Sequence, residues 1–262
     1  MKTGLPLEQI WDVDVCTAGL AQLLDEIEEG ITAGTTGRTL CCANPHSLVI
    51  AHKDPAFLGA LCDADILVPD GAGVVLASRL LGGRIRQRVT GSDVMTGIAE
   101  RSNAHGSRSF FFLGSTQGVL EKIATRMNRL YPRVNVCGTF APTFTEKFSE
   151  AESTRMIEAV NSSSPTVLWV GMTAPKQEKW IHMNRGRFNV PLIAAVGAAF
   201  DFFAGTKKRA NATLQRIGLE WFPRFLREPR RLWRRNLVST PVFLFHILEQ
   251  RRVEARNLSG RH

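Results

Sequence analysis

The chain has 262 residues, of which 44% are hydrophobic and 22% are charged, and its formal net charge is +9. This composition indicates a globular protein with one large domain or two smaller ones. No run of 18 apolar residues is present, which excludes a membrane-spanning helix, and the N-terminus lacks the basic and apolar regions of a secretory signal. Five cysteines without a CxxC pair, and histidines without a zinc-site spacing, predict a reduced cytoplasmic protein without bound metal.

Short apolar runs alternate with helical patterns through most of the chain. The apolar runs predict strands at residues 38–43, 66–68, 109–113, 166–170 and 192–196. The patterns between them predict helices at residues 47–61, at 72–81, from the end of the turn 114–118 to about residue 130, and from about 176 onward. Continuous apolar strands separated by amphipathic helices are typical of a parallel sheet covered by helices on both faces. We therefore expect an α/β fold with its ligand crevice at the carboxyl ends of the strands.

The positive charge is concentrated near the C-terminus. Residues 207–235 contain ten Lys or Arg and two Glu, a net charge of +8, while residues 1–206 are close to neutral. Large apolar side chains are interleaved with these charges, including Trp221, Phe222 and Trp233. This mixture favours a segment that lies on an anionic surface. We expect a catalytic domain at residues 1–206 and a basic, helical, membrane-associating appendage at residues 207–262.

A glycine-rich turn follows the predicted strand at residues 109–113. The turn begins at Gly114, reads GSTQG and leads into a helix, so its backbone N–H groups and the helix dipole could bind a phosphate. It matches neither the Walker loop nor the GxGxxG dinucleotide pattern. A tight turn without a ligand is the alternative interpretation.

Several carboxylates and polar residues occupy the predicted loops. Asp70 follows a short strand, where it could act as a general base or simply shape a turn. Lys176 and Gln177 begin a helix after another strand, and they could reach a ligand or form an exposed helical turn. Asp201 lies among aromatic residues, and we expect a structural ion pair there.

Two Asp-x-Asp pairs raise the question of a divalent metal. They are Asp12 with Asp14 and Asp63 with Asp65. Paired carboxylates can hold a metal that neutralises a diphosphate. A three-residue pattern also recurs by chance, and we expect solvated side chains rather than a metal site.

An ordered set of short motifs resembles the WecG/TagA/CpsF glycosyltransferases over residues 11–237. The motifs are Asn44-Pro45, Pro69-Asp70-Gly71, Arg88-Val89-Thr90-Gly91-Ser92-Asp93, Phe112-Leu113-Gly114, Val170-Gly171-Met172, Pro175-Lys176-Gln177-Glu178, Gly197 with Phe200-Asp201-Phe202, and Gly218-Leu219-Glu220-Trp221.

The resemblance implies an activity and a fold. Members of this family transfer a hexose or N-acetylhexosamine from a UDP-sugar to a sugar linked to undecaprenyl diphosphate, and they invert the donor anomeric centre to form a β-linkage. The implied fold is a Rossmann-like domain with a C-terminal appendage that completes the site at the membrane. The implied enzyme needs no metal and no cofactor, and it serves exopolysaccharide or other cell-surface polymer assembly.

The resemblance also implies roles for particular residues. Asp70 corresponds to the proposed base, Arg88 to a catalytic arginine, and Asn44 and Gln177 to residues of the substrate pocket. Basic appendage residues that contact the diphosphate correspond best to Arg227, Arg231 and Arg234. One departure is visible, because relatives often have Thr where this chain has Cys42, which lacks a hydroxyl for the donor.

These implications give a mechanism and a location. Asp70 would deprotonate the acceptor hydroxyl, and arginines would stabilise the departing UDP in place of a metal. If about half of the appendage's net charge contacts an anionic leaflet, the gain is roughly 4 kcal/mol, which gives reversible binding. We therefore expect a peripheral protein on the inner face of the bacterial plasma membrane.

Other interpretations stay open at this point. A basic nucleic-acid-binding protein is the main alternative, although the apolar face of the appendage suits a bilayer better than a duplex, so we expect no nucleic acid. A nucleotide-binding oxidoreductase would require the missing fingerprint, and the appendage could be a pair of helices that only stabilise the fold. Glucose and N-acetylmannosamine are both possible donor sugars, with the change at Cys42 favouring glucose. A homo-oligomer is also possible.

Overall fold

The computed structural model describes residues 3–106, 108–207, 225–226 and 229–259. The first element is an antiparallel hairpin of strands β1 (Leu7–Ile10) and β2 (Val13–Cys16). Trp11 forms its turn with a positive φ of 57°. This hairpin packs beside the main sheet, because β2 contacts the edge strand of that sheet, Ile66–Pro69.

The main sheet has six parallel strands. In the order of the chain they are β3 (Arg38–Ala43), β4 (Ile66–Pro69), β5 (Ser109–Gly114), β6 (Asn135–Phe140), β7 (Val167–Gly171) and β8 (Leu192–Ala195). Their order across the sheet is β4-β3-β8-β7-β5-β6. Strands β7 and β5 are neighbours, yet the chain leaves β5 toward β6 and leaves β7 toward β8. The sheet therefore has a topological switch point between β5 and β7, where a crevice opens at the carboxyl edge.

Helices cover both faces of the sheet, as the apolar strand pattern predicted. One face carries α1 (Leu20–Thr32), α5 (Gly91–His105), α6 (Gln117–Leu130) and α9 (Ala199–Phe203). The other face carries α2 (Pro45–Ala51), α3 (Pro55–Cys62), α4 (Ala72–Leu81), α7 (Glu150–Ser163) and α8 (Lys176–Asn184), which is followed by a 3-10 turn, Arg185–Arg187. Alternate residues of the strands fill the two cores, so each strand is buried on both sides.

The single helix predicted at residues 47–61 is in fact two helices. Asp54 interrupts it, because its side chain accepts a hydrogen bond from the Phe57 N–H at 3.1 Å and caps α3, whose first residue is Pro55. Proline at the first helical position favours a new start over continuation of the preceding helix. The break lets α2 and α3 pack against each other as separate elements.

The described C-terminal residues form a long helical segment that docks on the α/β fold. It comprises α10 (Pro229–Trp233), a π-helical stretch (Arg234–Ser239) and α11 (Thr240–Ser259). Phe243 and Ile247 of α11 are fully buried in the core beside α2 and α4. In the part of the chain that the structure describes, no helix is long and apolar enough to cross a bilayer.

An aromatic stack joins α11 to the N-terminal hairpin. The Trp11 ring stacks on the rings of His52 and His246, at 4.5 Å between centroids in each case, and the two histidine rings are 5.5 Å apart. The Trp11 backbone N–H donates to Oε1 of Gln250 at 2.9 Å. Residues that are 239 positions apart in the chain are thereby held in direct contact.

Candidate active site

The motif residues lie along the carboxyl edge of the six-stranded sheet. Asn44 follows β3, Asp70 follows β4, Gly114 ends β5, and Gln177 lies in the first turn of α8 after β7. Because all six strands are parallel, these positions share one edge of the sheet. Asn44 and Asp70 follow neighbouring strands, whereas Gly114 lies four strands away from Asp70 along the same edge.

Asp70, Asn44 and Arg88 occupy one corner of this edge. The backbone N–H of Asp70 donates to the Ala43 carbonyl at 2.7 Å, which places Asp70 directly beside Asn44. The Val89 N–H donates to the Pro69 carbonyl at 2.9 Å, so the chain at Arg88 runs next to the same turn. Asn44, Asp70 and Arg88 are all partly buried. A carboxylate, an amide and a guanidinium thus lie on adjacent turns.

Asn44 has a structural task that limits its chemistry. Its side-chain oxygen accepts a hydrogen bond from the Ser47 N–H at 3.1 Å and caps α2. Ser47 returns a reciprocal contact, because its hydroxyl oxygen accepts from the Asn44 N–H at 2.9 Å. The amide oxygen is committed to the helix, so the amide NH2 is the group that Asn44 can offer to a ligand.

The glycine-rich turn lies at the topological switch point. Gly114 has a φ of 118°, and a Cβ atom there would lie 2.6 Å from the carbonyl oxygen of Gly171 on β7. Ser115 adopts a left-handed φ of 55°, and Thr116 precedes the first turn of α6 with no side-chain cap. Thr116 and Gly118 are exposed. The first turn of this 14-residue helix thus begins at the carboxyl edge of the sheet without a side-chain cap, and a helix N-terminus of this kind favours an anion.

Gln177 is buried rather than exposed on its helix. Its side-chain oxygen accepts from the Met172 N–H at 3.0 Å, and its NH2 group donates to Oε1 of Glu178 at 2.8 Å. The Gln177 side chain thus binds the backbone of the turn that follows β7. Lys176 turns outward, where its ammonium group donates to the Thr145 carbonyl and lies 3.6 Å from the centroid of the Phe148 ring.

Cys42 occupies the position at which relatives often have Thr. Its thiol donates to the Ala195 carbonyl at 3.6 Å, a contact within the sheet. Burial and then the negative charge of Asp70 raise the pKa of the Cys42 thiol well above its usual value. The thiol is therefore neutral at physiological pH and does not serve as a nucleophile.

The prediction of solvated Asp-x-Asp carboxylates is wrong for Asp65, whose side chain is only 9% exposed and is held by two partners. Oδ2 of Asp65 accepts from the Thr39 N–H at 2.8 Å and from Arg185 at 2.8 Å, at the amino edge of the sheet and opposite the crevice. Asp12 pairs with His52 at 2.9 Å. Within the described ranges, no three metal-binding side chains cluster closely enough to hold a metal ion. Asp201 forms the expected ion pair, with Lys207 at 2.9 Å.

Comparison with known proteins shows the family of the chain. The model of the "Glycosyl transferase WecG/TagA/CpsF family" matches residues 8–257 of the chain. The chain belongs to the WecG/TagA/CpsF family. Similar curated proteins are named N-acetylglucosaminyldiphosphoundecaprenol N-acetyl-beta-D-mannosaminyltransferase. The protein of this name from Bacillus spizizenii is 29% identical, covering 96% of this chain and 93% of its own length. Those from Bacillus subtilis and Staphylococcus aureus are 28% and 27% identical, covering 93% of this chain and 91% and 92% of their own lengths.

The appendage of this WecG/TagA/CpsF member is described in part. Arg227 lies outside the described residues. Arg231 lies in α10 and Arg234 begins the π-helical stretch, but their side chains are likewise outside the description. The buried Ser239 hydroxyl contacts Nδ1 of His46 at 2.8 Å. The C-terminal segment therefore touches α2 two residues after Asn44, close to the candidate site.

Glu178 is the residue of this WecG/TagA/CpsF site that the sequence did not indicate. Glu178 is part of the matched motif Pro175-Lys176-Gln177-Glu178, but a glutamate at a polar helix start gives no sign that its side chain is buried. Its burial depends on how α8 packs against β3 and α3, which no local pattern shows. In the structure it is 3% exposed, and desolvation raises its pKa to about 7.

Proposed function

We propose that the protein transfers a sugar from a UDP-activated donor to a sugar carried on undecaprenyl diphosphate, with inversion at the donor anomeric carbon. The observation that carries this proposal is that Asp70, Asn44 and Arg88 lie on adjacent turns at the carboxyl edge of a parallel sheet in a chain of this glycosyltransferase family. The corner with Asp70 would receive the reacting hydroxyl, and the UDP moiety of the donor would extend along the same edge toward the glycine turn.

The reaction follows from this arrangement. Asp70 accepts the proton of the acceptor hydroxyl, and the oxygen attacks the anomeric carbon from the face opposite UDP. A β-glycosidic bond forms as the bond from the anomeric carbon to the diphosphate oxygen breaks, and UDP leaves with the electron pair. Arg88, the N-terminus of α6 and the appendage arginines Arg227, Arg231 and Arg234 would stabilise the negative charge that develops on UDP.

The names of the relatives suggest a particular pair of substrates. We propose N-acetylmannosamine as the transferred sugar and N-acetylglucosaminyl-diphosphoundecaprenol as the acceptor, in cell-surface polymer assembly. The sequence favours glucose as the donor sugar, because Cys42 stands where the family motif often has Thr. The Cys42 thiol, however, contacts Ala195 within the sheet, so the replacement supports a different donor only weakly.

We also propose that the reaction needs no metal. Asp63 and Asp65 lie at the edge opposite the crevice, and Asp65 already accepts hydrogen bonds from Thr39 and Arg185. These carboxylates are therefore poorly placed to bridge a donor diphosphate. Arginines and helix N–H groups can supply the charge stabilisation instead.

The division into a catalytic domain, 1–206, and a membrane-associating appendage, 207–262, is part of the same proposal. The described helix α11 buries Phe243 and Ile247 while Phe245 and Leu248 are 56% and 42% exposed. Arg251 and Arg252 are exposed on the same helix. An apolar stripe next to arginines supports peripheral binding at the inner leaflet of the bacterial plasma membrane.

The test is UDP release from a panel of UDP-sugars with a short-chain diphosphate-lipid N-acetylglucosamine acceptor, in the presence of EDTA. We expect release with UDP-N-acetylmannosamine, survival in EDTA, and a loss of at least about a hundredfold in Asp70→Asn. Asp63→Asn is the matched control, because Asp63 is an exposed carboxylate at the opposite edge, and it should retain full activity. Full activity in Asp70→Asn would refute the assignment of the base, and dependence on UDP-glucose would reassign the donor.

A further inference from the structure

Glu178 is a buried acid beside the candidate site, and the proposed reaction gives it no role. It lies in the first turn of α8, and its Oε1 accepts a hydrogen bond from the Gln177 amide at 2.8 Å. Among the residues that the structure describes, Oε2 has no hydrogen-bond partner. A buried carboxyl group with a hydrogen bond to only one of its two oxygens lowers the stability of the fold. Stability therefore does not explain a glutamate at this position.

The Gln177 amide has two possible orientations, and its contacts select one of them. Its oxygen accepts from the Met172 N–H, and its NH2 donates to Glu178. In the flipped orientation, the NH2 would face the Met172 N–H, donor against donor, and the oxygen would face the carboxyl group. The carboxyl oxygen of Glu178 therefore holds the amide oxygen toward Met172.

The Met172 turn forms one wall of the crevice at the switch point. A Cβ atom on Gly114 would lie 2.6 Å from the Gly171 carbonyl oxygen and 3.1 Å from the Met172 side chain. A Cβ atom on Gly197 would lie 3.3 Å from the Met172 carbonyl oxygen and 3.4 Å from the Gln177 amide. Gly114 at the end of β5 and Gly197 after β8 thus let the turn and the Gln177 amide pack tightly. A shift of that amide would move the wall against the glycine turn toward which the UDP moiety is proposed to extend.

Charged and titratable groups reach Glu178 from the other side. A small cavity there is lined by Glu178 with Thr39 and Cys41 of β3, Asp63 after α3, and His182 and Arg185. Burial, followed by the charge of Glu178, raises the pKa of the Cys41 thiol well above its usual value, so that neighbour stays neutral. The cavity leads from the surface residues Asp63 and Arg185 toward the buried carboxyl group and lies away from the crevice.

We propose that Glu178 is a positioning residue for the transferase site: it orients the Gln177 amide, which in turn holds the Met172 turn against the Gly114 turn. The catalytic consequence of this inference rests on the proposed function. The structural consequence, a fixed Met172 N–H hydrogen bond, does not depend on it.

Two substitutions separate positioning from a purely structural role. Glu178→Leu removes the acceptor of the Gln177 amide but also removes a costly buried carboxyl group, so the melting temperature should stay the same or rise. Glu178→Gln keeps an oxygen at the same place and serves as the conservative control. A structural role would make lost stability and lost function appear together, whereas positioning predicts lost function without lost stability.

The first measurement is the rate of hydrogen exchange at the Met172 amide, monitored by NMR on the full-length protein at one pH. We expect exchange about tenfold faster in Glu178→Leu, the change that corresponds to one net hydrogen bond. Exchange should stay within about twofold of wild type in Glu178→Gln, and amides 167–170 of β7 should be unchanged in both variants. Unchanged Met172 exchange in Glu178→Leu would overturn the proposal.

The second measurement is the dissociation constant for UDP, obtained by calorimetry with the same proteins. We expect it to rise about tenfold in Glu178→Leu and to stay near the wild-type value in Glu178→Gln. Equal UDP binding in all three proteins would overturn the link between Glu178 and the site. If wild type binds no UDP while Met172 exchange still responds to Glu178→Leu, the proposed function fails and the positioning of the turn stands.

Discussion

Gly114 is a residue of the crevice that cannot accept a side chain without strain. Its φ of 118° is unfavourable for any L-residue, and a Cβ atom would lie 2.6 Å from a backbone oxygen of the neighbouring strand. Gly118, four residues later, has no atom within 4 Å of an added Cβ and lies inside the first turn of α6. The two glycines of one loop therefore have opposite structural demands.

We predict that Gly114→Ala lowers the free energy of unfolding by about 2 kcal/mol or more, because it combines backbone strain with a clash against Gly171. Gly118→Ala should be neutral or stabilising by roughly 0.5–1 kcal/mol, because alanine is the better helix former. Urea unfolding of both variants checks the prediction. Equal destabilisation by the two changes would contradict it.

Glu178 should also make stability depend on pH. Its ordinary pKa of 4.5 rises to about 7 in the folded protein. Between these values the unfolded chain loses a proton that the folded chain keeps, so the free energy of unfolding falls as pH rises. We predict that wild type loses roughly 3 kcal/mol relative to Glu178→Gln between pH 4.5 and pH 7.5. Urea unfolding at several pH values checks this, and parallel curves for the two proteins would disprove it.

At the scale of elements, α11 has one face in the core and another at the surface. Phe243 is completely buried and Phe245 is 56% exposed, although both are phenylalanines on the same helix. The helical turn of about 100° per residue places the two side chains on opposite sides. This pair separates the stabilising role of the helix from its proposed contact with the membrane.

We predict that Phe243→Ala costs about 3–5 kcal/mol of stability, as expected for a large aromatic side chain removed from a packed core. Phe245→Ala should change stability by less than about 0.5 kcal/mol but weaken binding to anionic vesicles. Thermal unfolding and vesicle sedimentation of both variants check the two halves. If Phe245→Ala binds vesicles as well as wild type, the exposed face of α11 is not the membrane contact.

The elements differ in how well the sequence predicted them, and the reason is physical. Strands β3, β4 and β5 are buried along nearly all of their length, so their apolar runs predicted strands, and Asn44, Asp70 and Gly114 could be placed at their carboxyl ends. Strand β6 lies at the edge and is only partly buried, so its sequence shows no such run and it was not predicted. Helices α1, α5 and α7 and the N-terminal hairpin were also not predicted.

Inside the site, the limits of prediction fall at tertiary contacts. The sequence suggested that Gln177 could face a ligand, but its amide is used between Met172 and Glu178. The burial of Glu178 and the docking of α11 both depend on residues that are distant in sequence. Local sequence patterns do not predict such contacts, because polar residues at the start of a helix give the same pattern whether the helix start is exposed to solvent or buried by another element.

At the scale of the whole molecule, charge is separated along the chain. Residues 207–235 carry a net charge of +8, while residues 1–206 are close to neutral. We expect a basic segment of this kind to be attracted to an anionic leaflet and the near-neutral remainder of the chain to be attracted little. Because the proposed acceptor is itself anchored in the bilayer, such attraction would bring the protein to its substrate.

We predict that binding to vesicles containing phosphatidylglycerol falls steeply as salt rises, because the Debye length shrinks from about 10 Å at 0.1 M to about 3 Å at 1 M. Neutral phosphatidylcholine vesicles should bind weakly at every salt concentration. Sedimentation with both vesicle types checks this. Binding that is independent of salt and of lipid charge would show that apolar contact alone holds the protein to lipid.

The contact between Trp11 and α11 has a consequence for biosynthesis. During synthesis, all six strands of the sheet are made before Phe243 and Ile247, which fill the core beside α2 and α4. Until the last helix emerges, the nascent domain exposes that apolar surface, and its hairpin lacks the partner 239 residues away. Long-range closure of this kind slows folding and leaves intermediates open to aggregation. The protein should therefore depend on chaperones during synthesis more than its regular sheet suggests, and stop codons upstream of α11 should yield insoluble chains.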